Sequence, residues 1–368
     1  MNIVLVTWKG EGNYGTCLQS FSLYEVLQIL GHKVFYLPFL PSKYSFSTIC
    51  KDLLKKTGLL GVVKKILHVS DNKQRIKRRR FQEKYLNEIL IYSKQQEEQL
   101  VEKTDCFISG SDQIWNTYFQ FAPFYFLNFA KEKKRVAYAS SIGTNDVKDE
   151  YKEDVKQLLL KYNSIGVREK EAVKVLSELT GRNDIQQVLD PTFLLEPEEW
   201  ERLCLDAEYE IELPTDYLLC YLVGNNPWYK DYLVRVRDLL KIKNVIIIPS
   251  VESPDFNCNG SFIYKNASPI EFVDLIRRAK FVCTDSFHAT ALCVNHSIPF
   301  VEFLRFKNED VNSQNSRLFD LLEHYGLIDR IYTENSDAWL KSIDYSSVQD
   351  ILNFDRKNSL NYLKQAIG

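Results

Sequence analysis

The chain has 368 residues, of which 45% are hydrophobic and 26% charged, and its formal net charge is −2. This length suits two domains with a core each, and the nearly balanced charge excludes a general attraction for nucleic acid. The eight cysteines form no CxxC pair, and no apolar run approaches the roughly 18 residues of a membrane span, so a reducing cytoplasm without a zinc site or disulfide framework is expected.

The first forty residues predict a βαβ unit. An apolar strand over 3–6 is followed by a loop with Gly10, Gly12 and Gly15, a helix over 17–30 and a strand over 33–37. Nothing at the start resembles the basic region and long apolar stretch of a signal peptide. Further strands are predicted at 106–109, 135–140, 164–167, 217–223, 244–249, 261–264, 281–284 and 299–303. Most are apolar on both faces and precede a helical pattern, which indicates parallel sheets covered by helices.

A domain boundary is expected between about residues 190 and 215. Asp190-Pro191 ends one run there, and a charged stretch precedes a fresh strand. We therefore predict an N-terminal domain over 1–195, on the acceptor side, and a C-terminal domain over 215–340, on the donor side. The segment 341–368 is expected to form a helix that packs back on the first domain.

The segment 51–84 carries a local excess of positive charge. It contains twelve Lys and Arg against three Asp and Glu, and leucines and valines give its first half an apolar face. The simplest interpretation is a surface helix with a solvated basic side. The alternative is that the segment rests on an anionic membrane surface near a lipid-linked substrate.

Polar side chains follow several of the predicted strands. Lys9-Gly-Glu-Gly-Asn-Tyr-Gly-Thr16 joins a strand to a helix, where glycines and a helix N-terminus suit an anion or a polyhydroxyl ligand; a plain tight turn is the alternative. Gly110-Ser-Asp-Gln-Ile-Trp-Asn116 groups a carboxylate, amides and an indole at a strand end, as in a sugar-binding surface. There the alternative is that Asp112 or Ser111 only caps a helix.

Arg168 ends the strand over 164–167 and opens a helix with Glu169 and Lys170. An arginine in this place can bind a phosphate or carboxylate through two parallel hydrogen bonds. A salt bridge to a neighbouring acid is the competing interpretation.

Asp285-Ser-Phe-His288 follows the strand over 281–284. Asp285 and His288 are three residues apart, so on a first helical turn they would face the same side. A carboxylate that orients or charges a histidine is a recurrent acid–base arrangement. A buried structural histidine is the alternative.

In series, these motifs resemble the polysaccharide pyruvyl transferase family. The resemblance extends from residue 1 to about 325 and rests on short motifs in matching order: Gly12-Asn-Tyr-Gly15 with Leu18-Gln19, Gly110-Ser-Asp-Gln-Ile-Trp-Asn116, Ala139-Ser-Ser-Ile-Gly143, Val167-Arg-Glu-Lys170, Leu189-Asp-Pro-Thr192 and Thr284-Asp-Ser-Phe-His288. It implies an α/β fold with two Rossmann-like domains facing across a cleft, similar to the glycosyltransferase B architecture.

The resemblance also implies transfer of a pyruvyl group from phosphoenolpyruvate to a sugar of a cell-surface polysaccharide, such as a capsule or exopolysaccharide, or of its lipid-linked precursor. The product is a pyruvate ketal, and neither a nicotinamide cofactor nor a metal is expected. His288 would be the acid–base residue, with Asp285 tuning it, and Arg168 would bind the donor anion. Candidates for binding the acceptor are Asn13, Tyr14, Ser111, Asp112, Gln113, Trp115 and Asn116.

The chain departs from the family at one point. Some members carry Arg-Leu-His where this chain has Ser286-Phe287-His288, so we expect Arg305 or Arg317 to replace the missing arginine beside Ser286 on the donor side. Two other functions stay open at this point. One is a nucleotide-sugar glycosyltransferase of similar fold, and the other is a non-catalytic glycan-binding relative.

Overall fold

The computed structural model describes residues 1–10, 12–39, 73–250, 258–305 and 315–368. The N-terminal half forms a parallel sheet with the strand order β2-β1-β3-β4-β5-β6. Its strands are β1 (Asn2–Val6), β2 (Lys33–Tyr36), β3 (Cys106–Ser109), β4 (Lys134–Ser140), β5 (Ser164–Val167) and β6 (Gln186–Gln187). The central strands are buried along nearly their whole length, as expected for a parallel sheet covered on both faces.

The C-terminal half forms a second parallel sheet with the order β11-β10-β7-β8-β9. Its strands are β7 (Leu218–Leu222), β8 (Val245–Pro249), β9 (Ser261–Ile263), β10 (Phe281–Thr284) and β11 (Phe300–Glu302). Each strand predicted from the sequence is confirmed to within a residue or two at its ends. Strand β6 was not predicted, because it consists of two exposed glutamines that carry no apolar signal.

Helices cover both sheets. In chain order they are α1 (Tyr14–Ile29), α2 (Lys73–Tyr85), α3 (Lys94–Lys103), α4 (Lys152–Leu159), α5 (Lys170–Thr180), α6 (Pro197–Cys204), α7 (Tyr229–Leu240), α8 (Pro269–Arg277), α9 (Phe287–Asn295), α10 (Ser316–His324) and α11 (Tyr345–Ile367). Helix α1 begins three residues earlier than predicted, because the Asn13 side chain accepts a hydrogen bond from the Gly15 amide and caps the helix. Of the helices in the described residues, none has both the length and the apolar composition needed to span a membrane.

In each sheet, successive strands are added first towards one edge and then towards the other, so the strand order reverses at one point. In such sheets ligands bind beyond the carboxyl ends of the strands at this reversal. In the N-terminal sheet the reversal lies between β1 and β3, and in the C-terminal sheet it lies between β7 and β10. These are two Rossmann-like domains, which confirms the predicted fold class.

Helix α1 lies between the two domains. The Tyr14 ring stacks on Phe272 of α8, with centroids 4.5 Å apart, and its hydroxyl donates to the Ala267 carbonyl at 2.7 Å. Apolar side chains from both sheets join α1 in one continuous core. The domains are therefore packed together at this point.

Helix α11 also joins the two halves of the chain. The Tyr362 hydroxyl donates to the Ala137 carbonyl of β4 at 2.9 Å. Arg356 donates to the Phe193 carbonyl and to the side-chain oxygen of Asn295, at the end of α9. The final helix thus contacts both domains.

The basic segment 51–84 is described only from residue 73, where α2 begins; 51–72 lie outside the described residues. Within α2, Lys77 pairs with Glu271 at 3.1 Å and Lys84 with Asp206 at 2.7 Å. Arg78 packs over the Tyr14 ring, 5.1 Å from its centroid. Part of the positive charge of α2 therefore serves contacts within the protein.

Candidate active site

The two strand reversals face each other, and His288 lies where they meet. His288 is in the first turn of α9, directly beyond β10. Its ring packs against Gly15 of α1: a Cβ atom on Gly15 would lie only 2.1 Å from the His288 Nδ1 atom. Glycine at position 15 thus allows the N-terminal domain to approach the imidazole.

The second imidazole nitrogen, Nε2, faces Asp190 of the N-terminal domain. His288 Nε2 is buried, has no hydrogen-bond partner among the described residues, and lies 3.7 Å from Asp190 Oδ2. That separation is too long for a hydrogen bond but short enough for a strong charge interaction. A buried nitrogen without a partner is costly in a purely structural histidine.

Asp190 follows β6 and is held from several directions. Its Oδ1 accepts hydrogen bonds from the amide and hydroxyl of Thr192, and its Oδ2 accepts from the Ser111 hydroxyl and from Arg168, both at 3.1 Å. Burial opposes ionisation of this carboxyl, but the charges of His288 and Arg168 outweigh burial and hold its pKa well below the usual range. Asp190 therefore stays a carboxylate near neutral pH.

The structure corrects the predicted partner of His288. Asp285 precedes the N-cap of α9, so it is not a helical neighbour of His288. Its carboxylate instead accepts hydrogen bonds from the Val223 and Gly224 amides, at 2.6 and 2.7 Å, and from the Tyr229 hydroxyl. The prediction that Asp285 tunes His288 is wrong; Asp285 ties β10 to the end of β7.

Arg168 is also engaged differently from the prediction. Its guanidinium donates to Glu169 at 3.0 Å, to Asp190 at 3.1 Å and to the Ser141 hydroxyl at 3.3 Å. Burial lowers its pKa, but the negative charges of Glu169 and Asp190 raise it overall. The salt bridge that was the competing interpretation is present. These bonds use three of the five guanidinium N–H groups, so donor binding by Arg168 stays a prediction.

The predicted sugar-binding surface at 110–116 is mostly internal. Trp115 is 1% exposed, stacks on Phe126, and donates its Nε1–H to the Tyr125 carbonyl. Its ring is thus unavailable to a sugar, and the predicted acceptor role is wrong. The same holds for Tyr14, which is buried between the domains.

The polar neighbours of Trp115 hold the loop together. Asp112 accepts from the Thr16 hydroxyl at 2.6 Å and adopts a positive φ of 74°. The Asn116 side chain donates to Gln113 and accepts from two following amides, and Ser111 donates to Asp190. These bonds within the protein already engage the four side chains. The structure therefore gives no support to the prediction of sugar binding at Ser111, Asp112, Gln113 and Asn116. Asn13 is exposed beside the cleft and caps α1.

The donor-side predictions lie around His288. Ser286 is the N-cap residue of α9, although its side chain makes no capping hydrogen bond. Arg305 donates to the Asp285 carbonyl at 3.0 Å, and its side chain is 26% exposed. Burial, followed by the positive charge of Arg168, lowers the pKa of Arg317 to about 10; Arg305 acts in the same direction, while Glu169 and Asp112 oppose it. Arg317 is thus close to both other arginines.

Sequence reasoning missed Asp190 as a site residue. It used Leu189-Asp-Pro-Thr192 only as a family motif and as the end of a run. The available signal was an aspartate followed by Pro-Thr, which is typical of a carboxylate capping a short helical turn. In the part of the chain that the structure describes, no three His, Cys, Asp or Glu side chains are arranged to hold a metal ion.

The fold and this site define a two-domain Rossmann-like protein with a histidine and several arginines at the meeting point of its domains. The family model described as polysaccharide pyruvyl transferase matches residues 13–305. The chain belongs to this family, as the motifs indicated, and family membership implies a glycan acceptor. Arg317 lies beyond the matched residues.

Comparison with curated proteins gives no match. Among solved structures, UDP-N-acetylglucosamine 2-epimerase from Rickettsia bellii is 10% identical at a TM-score of 0.46, covering 100% of this chain and 96% of its own. The Neisseria meningitidis UDP-GlcNAc 2-epimerase is 9% identical at 0.48, covering 100% and 94%. E. coli ADP-heptose heptosyltransferase II is 13% identical at 0.39, covering 97% and 99%.

Proposed function

We propose that this protein is a transferase that moves a pyruvyl group from phosphoenolpyruvate to a sugar of a cell-surface polysaccharide or of its lipid-linked precursor, forming a pyruvate ketal. The observation that carries the proposal is the buried Nε2 atom of His288, which lacks a hydrogen-bond partner among the described residues and lies opposite the Asp190 carboxylate. Membership of the pyruvyl transferase family supports it.

The reaction needs an acid for the enol carbon. In this proposal His288, protonated and held by the negative charge of Asp190, gives its proton to the methylene carbon of phosphoenolpyruvate, which becomes a methyl group. The first sugar hydroxyl adds to the neighbouring carbon and returns its proton to His288. Because the pKa of Asp190 is held so low, Asp190 supplies charge and orientation rather than taking the proton.

The second half of the reaction closes the ketal. The bond between the same carbon and the phosphate oxygen breaks, and phosphate leaves with the electron pair. The second sugar hydroxyl then attacks this carbon, and its proton leaves on the phosphate. The atoms balance without an oxidant or a reductant.

The donor is a small molecule with a phosphate and a carboxylate, so it requires cations. Arg305 and Arg317 lie on the C-terminal side of the cleft, and the N-terminus of α9, where the Ser286 side chain makes no capping hydrogen bond, adds the positive end of a helix. The positive charges of Arg168 and Arg305 both act on Arg317, and a bound anion would offset them. We therefore assign the donor to this side of His288.

Ligand-dependent thermal stability tests the donor. Phosphoenolpyruvate at 100 times its dissociation constant should stabilise the fold by about 2.7 kcal/mol, which raises the melting temperature measurably. UDP- and ADP-sugars at the same concentration should leave it unchanged. Stabilisation by a nucleotide sugar, with none by phosphoenolpyruvate, would favour a glycosyltransferase instead.

We also propose that the basic segment 51–84 brings the protein to the inner face of the membrane, where lipid-linked acceptors lie. The support is its charge excess, which anionic lipid attracts by about 1 kcal/mol per basic residue near the surface. Because α2 contributes to contacts between the domains, the test should spare it. The variant Lys55→Gln/Lys56→Gln/Lys64→Gln/Lys65→Gln should float less with phosphatidylserine liposomes than the wild type, and equal recovery would refute the contact.

A further inference from the structure

A cavity of about 470 Å³ lies beside His288, between the start of α5, α10 and α11. Its wall includes Asp190, whose Oδ2 atom is 3.7 Å from His288 Nε2, and Phe287, the residue before His288. His288 is not itself among the lining residues, so a ligand against this wall would be separated from the proposed acid by Asp190 and Phe287. This volume falls within the size range of small-molecule sites in proteins.

The charge of the cavity disfavours the donor. The described residues that line it include five carboxylates against three permanently charged cations: Glu169, Asp190, Asp320, Glu323 and Asp355 against Arg168, Lys170 and Arg317. Within the lining, Arg168 pairs with Glu169 and Asp190, and Asp355 is hydrogen-bonded to His324. Because the carboxylates outnumber the permanent cations, the cavity favours uncharged hydroxyl groups, which can donate to the carboxylates, over a molecule with both a phosphate and a carboxylate.

One buried oxygen in this wall needs a donor. Glu169 Oε1 accepts from the Ser141 hydroxyl at 2.6 Å and from Arg168 at 3.0 Å. Its Oε2 is buried and has no hydrogen-bond partner among the described residues, and the Glu169 side chain is 10% exposed. A buried carboxylate oxygen left in this state is costly, and a ligand hydroxyl would satisfy it.

Asp320 lies close to Glu169 on the same wall. Burial, and then the negative charges of Glu169 and Glu323, raise the pKa of Asp320. These carboxylates would gain from hydrogen-bond donors placed between them. The Arg168 guanidinium lies over the half-buried Phe287 ring, 4.7 Å from its centroid, and the exposed part of the ring offers an apolar surface to a sugar. The combination of grouped acceptors and an aromatic ring suits a carbohydrate.

We infer that this cavity binds the acceptor sugar, with Glu169 and Asp320 receiving its hydroxyl groups and the reacting hydroxyls directed past Asp190 towards His288. The inference rests on the proposed function for its last step, but sugar binding itself can be measured without turnover. It relocates the acceptor from the 110–116 loop, whose side chains are occupied, to the far side of Arg168.

The test uses the full chain and two probes, p-nitrophenyl β-D-galactoside and p-nitrophenyl α-D-mannoside. Saturation-transfer NMR should detect binding of at least one glycoside to the wild type. Asn358→Trp, which fills the cavity from an exposed position on α11, should abolish that signal, and Asp320→Asn should weaken binding about tenfold. The matched control is Glu178→Gln, an exposed carboxylate on α5 outside the cavity lining, which should bind like the wild type.

Kinetics separate this inference from the proposed reaction. With phosphoenolpyruvate present, Asp320→Asn should raise the Michaelis constant for the glycoside about tenfold and leave that for phosphoenolpyruvate within twofold. Glycoside binding that survives both cavity variants, or no binding of either glycoside, would overturn the inference. Cavity-dependent binding without phosphate release would leave the sugar site standing and refute the pyruvyl transfer.

Discussion

Two loops of this protein carry the same sequence signal and do different work. Gly110-Ser-Asp-Gln-Ile-Trp-Asn116 and Thr284-Asp-Ser-Phe-His288 both place polar side chains at the carboxyl end of a buried parallel strand. In the first loop the side chains bond to one another and to their own domain. In the second, Asp285 is used internally while His288 Nε2 has no hydrogen-bond partner among the described residues.

The difference teaches that position at a strand end identifies a candidate, and that hydrogen-bond satisfaction decides between candidates. A polar group that the fold already satisfies gains little from a ligand, whereas a buried unsatisfied one gains much. The two loops should therefore respond differently to substitution.

The largest expected effect is at His288. His288→Ala should lower kcat about 1000-fold, because it removes the proposed acid, while the melting temperature stays close to that of the wild type. Phosphate release from phosphoenolpyruvate measures it. His32→Ala, at the opposite end of the N-terminal sheet, is the control and should retain full activity. Equal activity of both variants would remove His288 from the mechanism.

Gly15 should be nearly as sensitive. An added Cβ would lie 2.1 Å from His288 Nδ1, so Gly15→Ala must displace the imidazole, and a displacement of about 1 Å can cost about 100-fold in rate. Gly12→Ala is the matched control from the same loop, because no described heavy atom lies within 4 Å of a Cβ there. If the two variants have the same kcat, the contact between Gly15 and His288 does not matter to function.

The arginines should act on donor binding. Arg317→Ala or Arg305→Ala should raise the Michaelis constant for phosphoenolpyruvate about tenfold, the value of one charge-assisted hydrogen bond to an anion. Arg235→Ala, in an exposed ion pair with Asp337, serves as the control. An unchanged Michaelis constant in both cleft variants would show that neither replaces the arginine absent at Ser286.

Trp115 should affect stability instead of catalysis. Trp115→Phe loses the hydrogen bond to the Tyr125 carbonyl and part of the stacked ring, which should cost about 2 kcal/mol in the free energy of unfolding. Urea unfolding measures the loss, and kcat should stay within twofold. A large rise in the Michaelis constant for the acceptor, at unchanged stability, would restore the original sugar-binding prediction.

The smallest expected effect is a pH dependence at His324. A hydrogen bond to Asp355, at 2.6 Å, raises the pKa of His324. Because the pKa is raised, this hydrogen bond stabilises the fold below the unfolded-state pKa of about 6.5. The stabilisation is lost as the pH rises through the pKa of the folded state. The His324 side chain is half exposed, so the contribution is at most about 1 kcal/mol. His324→Gln should abolish this loss of stability above about pH 6.5, and Asp355→Asn should do the same.

The fold was predictable because its signal is local. Short runs that are apolar on both faces identified the strands, and only β6, with its two exposed glutamines, escaped. The position of His288 was predictable for the same reason, since a histidine beyond a buried strand is visible in ten residues of sequence; its role stays a prediction.

The partner of His288 was not predictable from local spacing. Asp285 is three residues away, but it precedes the helix and accepts from the Val223 and Gly224 amides just beyond β7. Asp190 is distant in sequence and belongs to the other side of the cleft, so only the packing of the two domains brings it to His288. Likewise, nothing in the sequence shows that Trp115 stacks on Phe126 or that Arg168 is occupied by Asp190.

The central claim is pyruvyl transfer that depends on His288. The most direct measurement combines phosphate release with mass spectrometry of a p-nitrophenyl glycoside after incubation with phosphoenolpyruvate, for the wild type and His288→Ala. We expect one phosphate released for each pyruvate ketal formed by the wild type, and both products formed about 1000-fold more slowly by the variant. Ketal formation by the variant at the wild-type rate, or no product from phosphoenolpyruvate while a nucleotide sugar is consumed, would contradict it.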